Sequence, residues 1–353
     1  MKVFKNLFNN LFESIGIDLG TANCVIYVKN KGILINEPSV AAINTKTNQI
    51  LAVGEEAKKM LGRTPPHINV VRPLIGGVIS DFEMSREMIR NFLNKLKKQK
   101  IGDWGFKKAI VSIPNDLTEV EKKSVEDAVL NSGCSNVFLI ESPIAAALGS
   151  GLNIEEAKAN LIIDIGGGTT DIAVISMNGI VTSKTLKIAG DKFNEEIAKF
   201  IKEEFKLIIG DLTAENIKVN IGSAIPQDER LEIIIQGKDV TTGLPKEIII
   251  KNSQIKLVLN KFLKQIIESI IEVIEKTPPE LVGDMLKKGI FLCGGGALLR
   301  GLDTIIQKEI GVEAKISEEP QLAVAKGLGK IIEQFEKYKN IVFNLSFKKE
   351  LNL

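Results

Sequence analysis

Two segments of the sequence end an apolar run in an Asp-x-Gly turn followed by glycine or hydroxyl residues. The first, IGIDLGTAN, places Asp18 before Gly20, and the second, LIIDIGGGTT, places Asp164 before Gly166. Glycine lets the backbone approach an anion closely, and successive backbone N–H groups in such a turn form an anion-binding concavity. A carboxylate beside a phosphate suits hydrated Mg²⁺, which keeps several waters. The two segments therefore predict phosphate binding with a divalent cation.

A third glycine segment, CGGGALL, begins at Cys293 after a short apolar run. Such a turn lets an adenine and its ribose pack flat on the backbone, with a helix after Ala297 capping the site. A Walker A motif and a Gly-x-Gly-x-x-Gly fingerprint opening a helix are both absent, which disfavours the commoner nucleotide folds. The predicted contacts in the three turns are Gly20, Thr21, Ala22, Asn23, Gly166, Gly167, Gly168, Thr169, Gly294, Gly295, Gly296 and Ala297, with Asp18 and Asp164 holding Mg²⁺ largely through water.

The likeness between the two Asp-x-Gly segments indicates two lobes, each opening with the same β-turn-β unit. The chain has 353 residues, which is enough for two hydrophobic cores. Apolar periodicity predicts strands and helices in both halves. The clearest predicted elements are helices at 83–100, 118–132, 191–209 and 255–275, a strand at 108–113 and short strands within 230–251. We therefore expect an α/β protein.

Composition excludes several classes of function. Hydrophobic residues at 44% and charged residues at 25% indicate a globular protein, and a net charge of +2 gives no reason to expect nucleic acid. Three cysteines in apolar stretches suit reduced thiols in the cytoplasm. Because His67 is the only histidine, zinc sites with several imidazoles and Ser-His catalysis are excluded. No apolar run reaches the roughly 20 residues that span a bilayer, and no signal peptide is recognisable.

Two segments are candidates for membrane contact. Residues 1–13 predict an amphipathic helix with lysines on its polar face, although a core helix is an alternative. The loop with Trp104 and Phe106 lies among lysines, although the tryptophan could instead fold onto its own lobe. The apolar stripe of the helix consists of Phe4, Leu7, Phe8, Leu11 and Phe12. The tail at 338–353 has no firm period, which leaves disorder, lipid contact and partner docking open.

Five segments together resemble the MreB family of bacterial actins, and the resemblance extends along nearly the whole chain. They read GIDLGTAN, NEPSVAA, RPLIGGVISDF, DIGGGTTDIAVI and CGGGALLRGL. The resemblance implies the actin-like ATPase fold, with four subdomains and ATP in the cleft between two lobes. It also implies double protofilaments on the inner face of the cell membrane, with a role in cell shape or motility. Sister paralogues and membrane cytoskeletal proteins are implied partners.

The same resemblance implies domain bounds. They are a membrane helix at 1–13, a first lobe at 14–149 with subdomain IB inserted at about 36–80, a second lobe at 150–324 with subdomain IIB inserted at about 188–254, a returning helix at 325–337 and a tail at 338–353.

Several residues match positions of the family's nucleotide site. Gly190 and Asp191 resemble a turn near the nucleotide, and Glu215 and Lys218 resemble the pair that approaches ribose and adenine, with an exposed helix face as the alternative. Thr169 corresponds to the threonine near the γ-phosphate, which helps to place the attacking water.

One departure from the family concerns hydrolysis. Where the family has Glu-Glu-Pro, this chain reads Glu141-Ser142-Pro143, so serine stands where a glutamate orients the attacking water. A serine hydroxyl cannot accept the water's proton at neutral pH, and loss of a positioned base costs about 10²- to 10⁴-fold in rate. Glu141 could substitute only if the backbone twisted, because adjacent strand residues face opposite sides. We expect ATP binding with slow ATP hydrolysis.

Two other functions share this fold. A small-molecule kinase would need a substrate-activating aspartate and a sugar-like pocket, which the sequence does not reveal. A chaperone-type ATPase would need a substrate-binding domain after the ATPase, for which residues 338–353 are too few.

Overall fold

The computed structural model describes residues 13–102, 105–226 and 231–345. These residues form two units. The first contains the described residues up to Glu156, residues 177–179 and the described residues from Leu322 onward. The second contains 157–176 and the described part of 180–321. The chain therefore leaves the first unit after Glu156, passes through it briefly at residues 177–179, and returns to it from Leu322.

The elements follow in chain order. The first unit begins with β1 Glu13–Leu19, β2 Asn23–Val28, β3 Gly32–Pro38, β4 Ala41–Asn44, β5 Gln49–Val53, α1 Glu55–Met60, β6 Ile68–Val71, β7 Leu74–Ile75, β8 Val78–Ile79, α2 Phe82–Lys98, β9 Phe106–Ile113, α3 Glu119–Leu130, β10 Val137–Glu141 and α4 Ser142–Gly149. Next come β11 Asn160–Ile165, β12 Thr170–Ser176, β13 Gly179–Leu186, α5 Gly190–Phe205, β14 Leu207–Ile208, α6 Asp211–Ile221, β15 Glu232–Asp239, β16 Pro245–Lys251, α7 Asn252–Glu275, α8 Pro279–Lys288, β17 Ile290–Cys293, α9 Leu302–Ile310 and β18 Ala314–Ile316. The last helices are α10 Ala323–Glu333 and α11 Phe335–Tyr338.

Each unit is built on a five-stranded mixed sheet of the same design. The strand orders are β10-β9-β1-β2-β3 in the first unit and β13-β12-β11-β17-β18 in the second. In both, the strand carrying the Asp-x-Gly segment pairs antiparallel with the next strand and parallel with a later one. The internal repeat in the sequence is therefore a repeat of sheet topology, and the predicted α/β class is confirmed.

Two helices of the first unit begin at side-chain caps. The Asp81 carboxylate accepts a hydrogen bond from the Met84 N–H at 3.0 Å and starts α2. Thr118 and Glu121 form a capping box that starts α3. Such caps satisfy N–H groups that the first helical turn leaves without partners. The predicted helices at 83–100 and 118–132 are confirmed, with slightly shorter ends.

Phe106 corrects the predicted membrane loop. It is the first residue of β9 rather than a loop residue, and it is 0% exposed within the core of the first unit. A Cβ atom on Gly102 would lie 2.6 Å from its ring, so Gly102 lies directly against the Phe106 side chain. Phe106 was predicted to contact the membrane, and this was wrong because a side chain inside the core cannot reach lipid. Trp104 and residues 4–12 of the predicted apolar stripe lie outside the described residues.

Each unit also carries a small separate sheet. The order β5-β4-β6 forms one in the first unit, where Val40, Ala42 and Ala57 make a small apolar cluster. The order β14-β15-β16 forms the other in the second unit. Among the described helices, none combines the length and apolar character needed to cross a membrane.

Candidate functional site

The turn after β1 is fixed by hydrogen bonds from residues outside it. The Ser39 hydroxyl donates to the Gly20 carbonyl at 2.6 Å, and the Gly77 N–H donates to Thr21 Oγ1 at 2.9 Å. A Cβ atom on Gly20 would lie 2.7 Å from the Asn23 carbonyl oxygen, so a side chain there would force the turn open. The turn at 20–23 is therefore narrow and fixed, as a backbone anion site requires.

Asp18 carries a carboxyl group whose ionisation is costly. It lies opposite Ser112 in the β1–β9 pair, and the Ser112 hydroxyl donates to Asp18 Oδ1 at 2.8 Å. Burial raises the pKa of Asp18 from 3.8 to about 6, and the Ser112 hydrogen bond opposes part of that rise. A carboxylate in such surroundings is stabilised by a nearby cation. The residue therefore fits the predicted magnesium role.

The turn after β11 is closed by backbone hydrogen bonds to the start of α5. The Gly190 N–H donates to the Gly166 carbonyl at 3.1 Å, and the Asp191 N–H donates to the Gly167 carbonyl at 2.8 Å. Within the turn, the Gly166 N–H donates to the Thr169 carbonyl at 2.9 Å. The structure thus brings the predicted turn at Gly190 and Asp191 directly onto the glycine turn. No side chain caps the start of α5.

Lys218 reaches the same turn from α6. Its ammonium group donates to the Gly190 carbonyl at 2.9 Å. Glu215 lies one helical turn earlier and therefore on the same face of α6, and both residues are half-buried. Lys218 thus lies beside the glycine turn of the second unit, and both members of the predicted pair are half-buried rather than on an exposed helix face.

The third glycine segment is pressed against the end of β11. Gly294 has a φ of +77°, and a Cβ atom there would overlap the Ile165 carbonyl and the Asp164 carboxylate. The Gly294 N–H donates to the Pro320 carbonyl at 2.8 Å. Gly294 is therefore required for Asp164 to occupy its position, a relation that the sequence does not reveal.

A 3₁₀-helix at Gly295–Leu298 continues the third segment. Ala297, predicted to contact the nucleotide, is 0% exposed and belongs to the core of the second unit. Its side chain therefore packs inward, which leaves only its backbone for a ligand.

Asp171 is a member of the site that sequence reasoning missed. It is 4% exposed and accepts hydrogen bonds from the Thr169 hydroxyl at 3.0 Å and the Thr185 hydroxyl at 2.5 Å. It also lies directly opposite Asp164 in the β11–β12 pair. Because Thr169 gives its proton to Asp171, its oxygen lone pairs are turned away from the carboxylate. The sequence signal for Asp171 is an acidic residue two positions after Thr169. Its other partner, Thr185, lies in a different strand, so no local pattern could reveal that contact.

Ser142 starts a helix instead of continuing a strand. Glu141 is the last residue of β10 and the N-cap of α4, and Ser142 is the first residue of α4. Both side chains are half-buried, and the Glu141 side chain makes no capping hydrogen bond. The strand rule of opposite faces therefore does not govern this pair, since the backbone turns into a helix between them.

Comparison with known proteins identifies a family. The family model of MreB/Mbl protein matches residues 12–340. The cell shape-determining protein Mbl of Bacillus subtilis (strain 168) is 45% identical over 325 residues, which are 92% of this chain and 97% of the relative. The cell shape-determining protein MreB of Escherichia coli (strain K12) is 39% identical over 348 residues, 98% of this chain and 99% of the relative.

Solved structures agree with the sequence relatives. MreB5 of Spiroplasma citri bound to ADP has a TM-score of 0.87 at 38% identity and covers 93% of this chain and 98% of the neighbour. The same protein bound to AMPPNP has a TM-score of 0.88 at 37% identity, with the same coverage. A MamK double helical filament has a TM-score of 0.76 at 20% identity over 91% of this chain and 98% of the neighbour, a likeness of fold alone.

Proposed function

Because the chain belongs to the MreB/Mbl family of actin-like proteins, we propose that it binds ATP, polymerises into filaments and acts in determining cell shape. The observation that carries this proposal is the glycine turn of the second unit. Its carbonyls accept hydrogen bonds from Gly190 and Asp191, and Lys218 donates to the Gly190 carbonyl at 2.9 Å. A backbone turn fixed in this way at a helix start suits a phosphate group.

Each unit supplies its own proposed nucleotide contacts. Residues 20–23 and 166–169 bind phosphate oxygens through their backbone, and Glu215 and Lys218 bind the nucleoside. The ADP and AMPPNP complexes of MreB5 support a bound nucleotide. A titration with ATP, in which Lys218→Met weakens binding and the exposed Lys308→Met does not, tests these contacts.

Magnesium fits the two aspartates. The raised pKa of Asp18 reflects a carboxylate that lacks solvation, and the Asp164 carboxylate lies against Gly294 at the end of β11. Mg²⁺ would neutralise phosphate charge when bound. Binding of ATP should therefore fall sharply when the cation is removed by a chelator, and Asp164→Asn should lower the affinity for the cation.

Hydrolysis is proposed to be slow. The hydroxyl of Ser142 can orient a water but cannot take its proton at neutral pH, and Asp171 holds the proton of Thr169 toward itself. Thr169 can thus accept a hydrogen bond from the attacking water without acting as a strong base. We expect Ser142→Glu to raise phosphate release by about 10²-fold or more. A native rate equal to that of relatives with Glu-Glu-Pro, or no gain in the variant, would contradict the proposal.

Polymerisation distinguishes the proposed filament function from that of a small-molecule kinase or a chaperone-type ATPase. The proposed arrangement is a double protofilament of identical chains, into which sister paralogues also enter. Light scattering and negative-stain electron microscopy with and without ATP provide the test. Filaments that form only with the nucleotide support it, and a protein that stays dispersed on lipid with ATP refutes it.

Membrane association is proposed at the end of the first unit where β1 begins, on the cytoplasmic face. Glu13, the first described residue, is ion-paired with Lys31 at 2.6 Å. Burial is the main cause that lowers the pKa of Lys108 to about 8, and the nearby charges of Lys29 and Lys107 lower it further, while Glu336 opposes them. Cations at this end suit anionic headgroups. Liposome co-sedimentation that is unchanged by removing residues 2–12 and by Trp104→Ala would reject this proposal.

A further inference from the structure

The last described residues lie along the edge of the first sheet. In the strand order β10-β9-β1-β2-β3, β10 is an edge strand. An edge strand presents backbone N–H and C=O groups that can pair with another chain. In this protein, Phe343 and Asn344 contact β10, with Phe343 opposite Leu139 in an antiparallel bridge. The C-terminal segment is therefore an added partner for the edge.

Backbone hydrogen bonds hold this segment in register. The Leu139 N–H donates to the Phe343 carbonyl at 2.8 Å, and the Phe343 N–H donates to the Leu139 carbonyl at 3.0 Å. The Asn344 side chain donates to the Val137 carbonyl at 2.7 Å. Three hydrogen bonds over a few residues satisfy groups that the edge would otherwise leave to solvent.

Side chains add an apolar component. The side chains of Phe343 and Leu345 both pack against the core of the first unit. The Lys122 ammonium group on α3 lies 5.6 Å from the centroid of the Phe343 ring. Backbone pairing with an edge strand, together with side chains that pack beside it, is one way in which sheets recognise extended peptides.

The segment before it is anchored separately. Tyr338 is 7% exposed, and its hydroxyl donates to Glu155 at 3.5 Å, while Lys337 is ion-paired with the same carboxylate. Phe335 packs edge-on against Phe138 at 5.3 Å. These contacts hold the chain next to β10, so the edge meets its own segment at an effective concentration of about millimolar or higher.

We propose that the edge of β10 is a peptide-binding site, that the segment 341–345 of the same chain is its resident ligand, and that a second copy pairs with the edge when this segment is absent. β10 leads directly into Ser142, the first residue of α4.

Two truncated chains and one peptide test the proposal. A chain ending at Leu345 keeps the segment and should behave as the full chain. A chain ending at Asn340 loses it and should unfold at a temperature lower by at least about 3 °C. A synthetic peptide of residues 341–345, which the shorter chain lacks, should bind that chain and restore its melting temperature, and should bind the longer one at least tenfold more weakly. Equal melting temperatures, or no peptide binding to the shorter chain, would overturn the proposal.

Chemical variants of the peptide distinguish backbone pairing with β10 from apolar packing of the peptide's side chains. N-methylation of Phe343 removes its N–H donor but keeps the ring, so the affinity should fall at least tenfold. Methylation at Val342, whose N–H is not among the bonds to β10, should have a smaller effect. A methylated Phe343 peptide that binds as well as the parent would overturn the proposed strand pairing.

The proposed pairing of a second copy with the edge of β10 is tested by measuring the molecular mass of the protein in solution. In buffer without nucleotide and metal, the chain ending at Asn340 should associate with rising concentration, and saturating peptide should return it to the monomer. A shorter chain that stays monomeric would overturn this part. If the shorter chain does not fold, Phe343→Ala in the full chain replaces it, and exchange of the Leu139 amide hydrogen should then accelerate at least tenfold. Unchanged protection at Leu139 would overturn the proposal.

Discussion

Replacement of Asp18 by asparagine is expected to stabilise the metal-free protein and to lower its affinity for a divalent cation. Burial raises the pKa of Asp18 from 3.8 to about 6. Between these two values the folded protein binds more protons than the unfolded chain, so the free energy of unfolding falls as the pH rises through this window. Above pH 6 the whole cost of the buried charge is present. An asparagine at this position would carry no charge and therefore no such cost.

The size of the effect follows from the pKa. A rise from 3.8 to about 6 corresponds to about 3 kcal/mol of free energy. The residue keeps partial exposure to solvent, which screens part of the charge. We therefore expect Asp18→Asn to raise the free energy of unfolding by about 1 to 3 kcal/mol at pH 7.5 and by little at pH 4. The Ser112 hydrogen bond at 2.8 Å can be kept by the amide oxygen.

Urea denaturation at several pH values, with a chelator and without nucleotide, measures the difference. Asp116→Asn, on the exposed loop after β9, controls for the loss of one negative charge. With Mg²⁺ and ATP present, the order should reverse because only the native chain gains from the cation. An Asp18→Asn protein that is less stable than the native one at pH 7.5, or a difference that does not change with pH, would refute the reasoning.

Three further pairs of substitutions test packing, polar contacts and membrane binding. Gly327→Ala should destabilise the protein by about 2 kcal/mol or more, because a Cβ atom would overlap the carbonyl of a neighbouring helix, whereas Gly283→Ala, exposed within α8, should stabilise it by about 0.5 to 1 kcal/mol. Asp171→Leu should cost about 2 to 4 kcal/mol in urea denaturation since two hydroxyls lose their acceptor, and Asp171→Asn should cost less. Phe106→Leu should leave liposome binding unchanged because its side chain is in the core, while Trp104→Ala should weaken it.

Each of these three predictions has an outcome that would contradict it. Equal effects of the two glycine substitutions would contradict the close approach of α4 and α10. An Asp171→Leu protein as stable as the native one would mean that the threonine hydroxyls find other acceptors. A loss of liposome binding in Phe106→Leu, with the melting temperature unchanged, would restore the membrane role that its burial removes.

The sequence by itself determined the elements and the nucleotide turns. An apolar run that ends in Asp-x-Gly is a local signal, because the strand, the turn and the carboxylate lie within about ten residues. The two turns at Gly20 and Gly166 were therefore found at the ends of equivalent strands. The internal repeat also gave the class of fold, since both copies begin the same sheet topology. Capping residues and turn glycines act first on neighbouring residues, which is why a local pattern can locate them.

Tertiary structure decided what depends on distant partners. Asp171 meets Thr185 only because β12 and β13 are neighbours, and Phe106 is buried because β9 lies inside a sheet. Apolar periodicity shows which face of a strand is apolar, but it does not show which other elements pack on that face. The edge of β10 is likewise filled by Phe343, which lies far along the chain from Leu139. The energy of such contacts arises when remote segments meet, so no local pattern records it.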